Sequence, residues 1–502
     1  MSAWVMFGLA VVAGLLATYV CRTVATRCGL VDKPDGRRKT QDRPVALAGG
    51  LGVLFGTLLA LAAAGLAVPA VGAELLADPY RAGSLAVAAV VIAVVGLLDD
   101  AVNLRARYKL AGQLGAVLTL VVFGGYRIDT VSVFGWHLEL GLAYGVPATV
   151  FWFLAAINAI NLLDGMDGLL GTVGLLICGT LAAMAFAVGQ PFAGWVATAV
   201  AGSLLGFLYF NYPPASVYLG DCGSMLIGLV VGALALQATL KGPAVAILVP
   251  ACLLVLPLMD TTAAVVRRKL TGRGLANADR GHLHHVLLRR GMSRPRVLAL
   301  VAALGLVAGG GALVSTYQSN DALALGAAAA VVLILVAGGL FGTSEARLVR
   351  ERTKAVVRAV VGRGVPVECA VRLQGTADWS GVWAKLVVAA DRLDLLSVRL
   401  DVNAPAWHEQ YHGRWDRRAV PAPAEADVWR LELPVFGHGQ VIGRLSVAGV
   451  RETAPVSELL AGLSGVLAEA ERAAQGELQP RSAIRPVAVP RRRGAAAVEV
   501  PA

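Results

Sequence analysis

Apolar runs close to the roughly 20 residues that span a bilayer recur from Ala3 to Phe341 and then stop. Eleven can be read, at residues 3–20, 46–68, 82–98, 108–123, 142–160, 169–188, 193–210, 224–240, 243–265, 297–315 and 321–341. Such a pattern leaves few folds open. In hydrocarbon each backbone N–H and C=O must be satisfied within the spanning segment or in a closed barrel, and runs of this length predict helices. Composition agrees: 57% of the 502 residues are hydrophobic and only 15% are charged, against about 25% charged in soluble domains. The first run has no basic segment before it and no small-x-small cleavage site, and further spans follow, so it is expected to be a retained helix rather than a signal peptide.

Orientation follows from Lys and Arg, which are retained on the cytoplasmic side of short loops. The first loop holds Arg22, Arg27, Lys33, Arg37, Arg38, Lys39 and Arg43, and the third holds Arg105, Arg107 and Lys109. In the ninth lie Arg267, Arg268, Lys269, Arg273, Arg280, Arg289, Arg290, Arg294 and Arg296, whereas the even-numbered loops carry only Arg81, Arg127 and Lys241. The N-terminus is therefore expected outside, with the odd loops and the C-terminal region in the cytoplasm. A net charge of +11 then reflects basic loops beside anionic lipid, and no nucleic-acid partner is expected. The six cysteines are scattered without a C-x-x-C pair, which suggests neither a disulfide framework nor a zinc site.

Beyond residue 342 the composition shifts. Residues 343–364 form a basic, helix-prone connector, and 365–475 carry strand-like stretches at 365–373, 395–402, 428–435 and 440–448, with helical spacing at 383–393 and 456–473. Residues 476–502, rich in Pro, Arg, Ala and Val, are expected to be disordered. The predicted architecture is an all-α polytopic membrane domain over 1–342, of about eleven transmembrane helices, followed by a C-terminal cytoplasmic α+β domain whose role the sequence leaves open.

An aspartate at the centre of a membrane helix costs about 3 kcal/mol, so carboxylates in such a chain belong at span ends or in a polar cavity. Asp99 and Asp100 end the third run, Asp164 and Asp167 lie between the fifth and sixth in INLLDGMDGLLG, and Asp221 lies between the seventh and eighth. All five fall on the expected cytoplasmic face, as do the basic loops and the cluster His282, His284 and His285. Carboxylates around a hard cation, with Arg, Lys and His nearby, suit a diphosphate substrate. Each motif alone also has a plain structural reading: DD as a solvated helix terminus, D-G steps as turns, the histidines as surface polarity. The functional case rests on their shared face.

Taken together, DKPDGRRKTQDRPVALAGG (32–50), GLLDDAVNL (96–104), NAINLLDGMDGLLG (158–171), FNYPPASVYLGDCGSMLIG (210–228), PLMDTTAAVVRRKLTGRG (257–274) and DRGHLHH (279–285) resemble the polyprenyl-phosphate N-acetylhexosamine-1-phosphate transferases, glycosyltransferase family 4, of the WecA and TagO type. The resemblance implies a membrane enzyme of the bacterial inner membrane that moves a sugar 1-phosphate from a UDP-sugar to undecaprenyl or another polyprenyl phosphate, with Mg²⁺ or Mn²⁺, at the start of cell-envelope polysaccharide synthesis. His-x-His-His at 282–285 is similar to the N-acetylglucosamine branch and unlike the phospho-N-acetylmuramoyl-pentapeptide transferases, which remain an alternative. GLANA at 274–278 departs from the S-P-F that family members often have there.

By position, the resemblance makes Asp221 and Asp100 metal ligands, Asp99 a candidate base toward the lipid phosphate, and Asn211 a companion of Asp221. Asn158, Asn161, Asp164 and Asp167 would line the nucleotide site, Asp167 being the candidate for uracil. Arg267, Arg268, Arg280, His282, His284 and His285 would hold the diphosphate and sugar. A homodimer is compatible with this reading. The rival class, a transporter, is expected to place its charges near mid-span in matching repeats, and no repeat is found in the sequence.

Overall fold

The computed structural model describes residues 2–33, 43–133, 136–238, 240–241, 244–245, 248–271, 281–361, 367–375, 377–404, 409–417, 427–437 and 439–450, with a few single positions beyond. Arg280, and nearly all of the helix expected over 456–473, lie outside these residues. The chain divides into two compact units, Met1–Ala346 and Arg347–Ala502.

Among the described residues fifteen helices begin in the first unit, in chain order α1 (Ala3–Cys28), α2 (Gly49–Ala67), α3 (Pro69–Leu76), α4 (Pro79–Val102), α5 (Ala106–Phe123), α6 (Gly141–Leu163), α7 (Leu169–Ala187), α8 (Pro191–Asn211), α9 (Gly220–Ala238), α10 (Leu248–Leu253), α11 (Val255–Thr271), α12 (Leu283–Arg289), α13 (Arg294–Gln318), α14 (Asp321–Ala337) and α15 (Thr343–Val361). Among the described residues, eight are long and apolar enough to cross a membrane: α1, α2, α4, α6, α7, α8, α9 and α13. The protein is a multi-pass membrane protein. The count differs from the eleven runs for identifiable reasons. The run at 243–265 is broken at Leu254 into α10 and α11, and α11 carries Asp260, Arg267, Arg268 and Lys269 on 17 residues. α14 is apolar but spans 17 residues, and α5 opens on Arg107 and Lys109.

The central post is α9, whose apolar window is 94% buried because α2, α4, α6, α7 and α8 all pack on it. Small residues set those approaches. A Cβ added at Gly96 of α4 would lie 2.4 Å from the Cys222 backbone, and one at Gly50 of α2 would lie 2.3 Å from the Gly223 nitrogen. Two small sheets sit at helix ends. In one, β1 (Val31–Asp32) pairs antiparallel with β2 (Val45–Leu47); in the other, β3 (Thr130–Val133) pairs with β4 (Trp136–Glu139). The first is completed by β5 (Val217–Tyr218), parallel to β2, and the second by β6 (Leu240–Lys241) and β7 (Ala244–Val245).

The second unit holds β8 (Val367–Gln374), α16 (Trp379–Arg392), β9 (Ser397–Ala404), β10 (Glu409–Asp416), β11 (Val428–Gly437) and β12 (Gln440–Val450). Its sheet runs β11-β12-β9-β10-β8, with every pairing antiparallel. Trp379, Trp383 and Leu386 of α16 share a core with Leu400, Tyr411, Trp415 and Leu445. Four strands lie where alternation predicts them. β10 is the addition: its core face is Tyr411, Gly413 and Trp415, and the glycine in the middle interrupts the apolar alternation.

Candidate functional site

The three carboxylates of the α4 and α9 ends meet as one cluster. Asp99 and Asp100 occupy the last turn of α4, and Asp221 the first turn of α9. Asp100 accepts the backbone N–H groups of Asp221 (2.8 Å) and Cys222 (3.1 Å), the orphan donors that every helix N-terminus presents. Gly220, at φ +70, makes the turn into α9, and a side chain there would strike the Asp100 carboxylate. Lys109 Nζ lies 2.9 Å from both Asp99 Oδ2 and Asp221 Oδ2. The other oxygen of Asp99 accepts Leu104 N–H at 2.7 Å, and that of Asp221 accepts from Asn161 Nδ2. Asn161 also donates to Ser224 Oγ, and Asn158 donates to Gln113 Oε1 at 3.0 Å. The polar face of α6 is thus tied to α5 and α9.

Beside this cluster the chain turns from α6 into α7. Asp164 caps the end of α6, and Gly168, at φ +76, opens α7. Asp167 accepts Arg294 Nη1 and Ala215 N–H, each at 3.2 Å. Asn211 accepts Gly168 N–H at 2.9 Å and donates to Val217 O at 2.8 Å. Both ends of its amide therefore clamp this turn to the loop after α8. Asp164 differs. Among the described residues its carboxyl meets no donor and no cation, and burial, then the charges of Asp221, Asp100 and Asp167, push its pKa up to about 8.

Loop nine closes on the same turn. A Cβ at Gly165 would lie 2.4 Å from the His284 ring, so glycine lets the imidazole pack against this turn. His284 is 2% exposed, and among the described residues neither ring nitrogen has a hydrogen-bond partner. Burial, followed by neighbouring His285, His282 and Arg289, holds its pKa well below the ordinary imidazole value, so it is neutral and has hydrogen-bonding capacity to offer. The His282 ring is nearly parallel to it, at 8°, and His282 Nδ1 lies 2.9 Å from Asp260 Oδ2. Asp260 also accepts Leu283 N–H at 2.7 Å. Arg267 is buried against Glu345 of α15, with Gly281 over its guanidinium, and Arg268 is buried beside it in α11.

The structure therefore brings Asp99, Asp100, Asp221 and Asn161 into direct contact, with Asp164, Asp167 and His284 alongside. Asn158, Asn211 and Arg267 are engaged in protein contacts of their own, and His285 packs on His284 at a 4.2 Å ring separation. Lys109, Gln113, Asp260, Arg294 and Glu345 complete the site without having been singled out as site residues. Asp260 lies in the PLMDTT segment, Lys109 among the loop-three cations and Arg294 among those of loop nine, so position alone could have found those three. Glu345 and Gln113 become visible only through tertiary contact.

Among the described residues no three His, Cys, Asp or Glu side chains are arranged as a ready metal cage. The donor chemistry nevertheless fits a hard cation. The oxygen donors of the cluster are carboxylates and the Asn161 amide, the type that Mg²⁺ takes, and among the described residues no cation meets Asp164.

Residues 82–239 match the family model described as Glycosyl transferase family 4. Over 307 residues the chain is 32% identical to a Bacillus subtilis protein named "Probable undecaprenyl-phosphate N-acetylglucosaminyl 1-phosphate transferase", covering 60% of this chain and 82% of that one. It is 33% identical over 345 residues to the decaprenyl-phosphate N-acetylglucosaminephosphotransferase of Mycobacterium tuberculosis, covering 63% and 83%. A third similarity, 30% over 312 residues, is to the undecaprenyl-phosphate alpha-N-acetylglucosaminyl 1-phosphate transferase of Escherichia coli, covering 59% and 80%.

Proposed function

Because the chain belongs to glycosyl transferase family 4, we propose that it transfers N-acetylglucosamine 1-phosphate, or a closely related N-acetylhexosamine 1-phosphate, from a UDP-sugar to a polyprenyl phosphate. The observation that carries this reading is the meeting of three carboxylates at helix ends, Asp99 and Asp221 on Lys109 and Asp100 on the first turn of α9, with Asp164 and His284 beside them. Charges placed there suit phosphate chemistry at a membrane face better than a mid-membrane ion path.

In the reaction an oxygen of the lipid phosphate bonds to the β-phosphorus of the UDP-sugar. The bond from that phosphorus to the bridging oxygen breaks, and UMP leaves with the electron pair. Both reactants are anions, so the barrier lies chiefly in bringing them together in line. Lys109 offsets acceptor charge, and Asp99, fixed by Lys109 and the Leu104 N–H, orients the acceptor. His284 and His282, the latter oriented by Asp260, face the donor, and Asp167 with the α6–α7 turn borders the nucleotide. Mg²⁺ or Mn²⁺, held by Asp221 with Asp100 and Asp164, would supply charge neutralisation on the diphosphate oxygens.

Incubating the purified protein with polyprenyl phosphate, Mg²⁺ and a panel of UDP-sugars tests the reading through UMP release. Release with UDP-N-acetylglucosamine is expected, and no release with any UDP-sugar would overturn it. Labelled UMP exchange into UDP-sugar without acceptor would point instead to an aspartyl-phosphate intermediate.

In the same reading α5, α10 with α11, and α14 complete eleven spans, the N-terminus lies outside, and the carboxylates and second unit face the cytoplasm of a bacterial inner membrane. Cys28, exposed at the end of α1, is expected to react with an impermeant maleimide in inverted vesicles and not in intact cells. The reverse pattern would invert the topology.

A further inference from the structure

A cavity of about 530 Å³ lies among α2, α3, α4, α8 and α9, within the roughly 300–1,000 Å³ of small-molecule sites. Thr57 is the one polar side chain lining it; leucine, valine, alanine, glycine, isoleucine and phenylalanine make up the rest. On α4 it runs from Ala82 to Ala89, so its far end lies 17 residues, or about 25 Å at 1.5 Å per residue, from Asp99. That is nearly the depth of a hydrocarbon core, about 30 Å. The cavity opens sideways, since Ala62, Leu66, Leu76 and Ala86 on its rim are exposed.

Its near end is closed toward the carboxylates. On both helices shared by cavity and cluster, a glycine contact lies between them: Gly96 of α4 against Cys222 of α9, and Gly223 of α9 against Gly50 of α2, with no room for a single methyl group. A hydrocarbon tail attached to a phosphate at Lys109 has no passage through those contacts.

We propose that this cavity binds an acyl chain of a bilayer phospholipid entering from the leaflet opposite the carboxylate cluster. An apolar space open to the bilayer at this depth takes hydrocarbon in preference to water. Arg81, in the first turn of α4, directly precedes the lining residue Ala82 and lies 3.4 Å from Asp78; at this end of the cavity it supplies a guanidinium of the kind that headgroup phosphates meet. The choice of phospholipid over polyprenyl acceptor rests on the reading that the acceptor phosphate meets the carboxylates; lipid retention itself does not depend on activity.

The test compares the full-length protein with the double variant Ala62→Phe/Ala86→Phe, whose rings would fill the cavity from its rim. After a delipidating detergent wash, phospholipid per protein is measured by native mass spectrometry. About one more phospholipid is expected on the wild type; equal retention, or retention of a polyprenyl lipid in its place, overturns the proposal. A measurement on wild type alone guards against misfolding of the variant. Phosphatidylglycerol with a nitroxide on its acyl chain, in phosphatidylglycerol vesicles, is expected to show an immobilised fraction that excess polyprenyl phosphate leaves in place. Displacement by polyprenyl phosphate, or no immobilised fraction, overturns it.

Discussion

Lys109 holds its ammonium 2.9 Å from a carboxylate oxygen of Asp99 on α4 and equally far from one of Asp221 on α9. One cation thus offsets two acids from helices that are more than a hundred residues apart in sequence. Lys109→Gln keeps a donor but removes the charge. Loss of one charge-stabilising group at such a centre typically costs about 10²–10³ in kcat, and a fall of that size in UMP release is expected. A variant with wild-type kcat would show that the ammonium is only structural.

Asp221→Asn removes the charge that Lys109 and Asn161 both address while keeping side-chain size. Transfer is expected to fall below detection at any Mg²⁺ concentration, with the protein still inserted and eluting as a single species from size exclusion. Retained activity would sink the metal assignment.

Asp164 gives a pH signature. Its carboxyl is pushed up to about 8 in the fold, against about 3.9 in an unfolded chain. Between those values the folded state keeps a proton that the unfolded state has released, so this group lowers stability progressively as pH rises through the window. Its penalty is complete above about 8. Asp164→Asn is therefore expected to unfold at a higher temperature than wild type at pH 8, and at nearly the same temperature at pH 4, both with divalent cations chelated. Identical pH slopes for the two proteins would contradict the assignment.

Asp260→Asn tests the orientation of His282. The amide oxygen can still accept Leu283 N–H, whereas the pairing with Nδ1 is no longer charge-assisted. Partners that orient a functional imidazole in this way typically contribute about 10–100-fold. A drop of that order in kcat/KM is expected, with the thermal midpoint little changed. Full activity would make the pair a structural contact.

How much of this was legible in the sequence depended on whether the signal was local. The apolar runs placed most helices, because length and hydropathy are properties of a segment. Asp99, Asp100, Asp164, Asp167 and Asp221 stood out because acids are costly in such surroundings. β10 escaped because glycine, a poor strand former, holds the middle of its inward positions Tyr411, Gly413 and Trp415, and the break at Leu254 is marked only by Pro257, which cannot donate the helical bond back to Leu253. Partnerships such as Gln113 with Asn158, Arg267 with Glu345 and His284 with Gly165 join segments far apart in the chain. No periodicity encodes them.

The glycine contacts of α4 and α2 with α9 bear on how donors can be discriminated. A spacing between Asp100 and Asp221 that is set by backbone against backbone has few rotamers to freeze when substrate arrives, so little ordering entropy is lost there on binding. The same rigidity makes this floor a poor place to adjust selectivity, because any added methyl group would part the helices. Differences in sugar preference among such chains should therefore accumulate around loop nine, while the seam beneath acts as an invariant ruler.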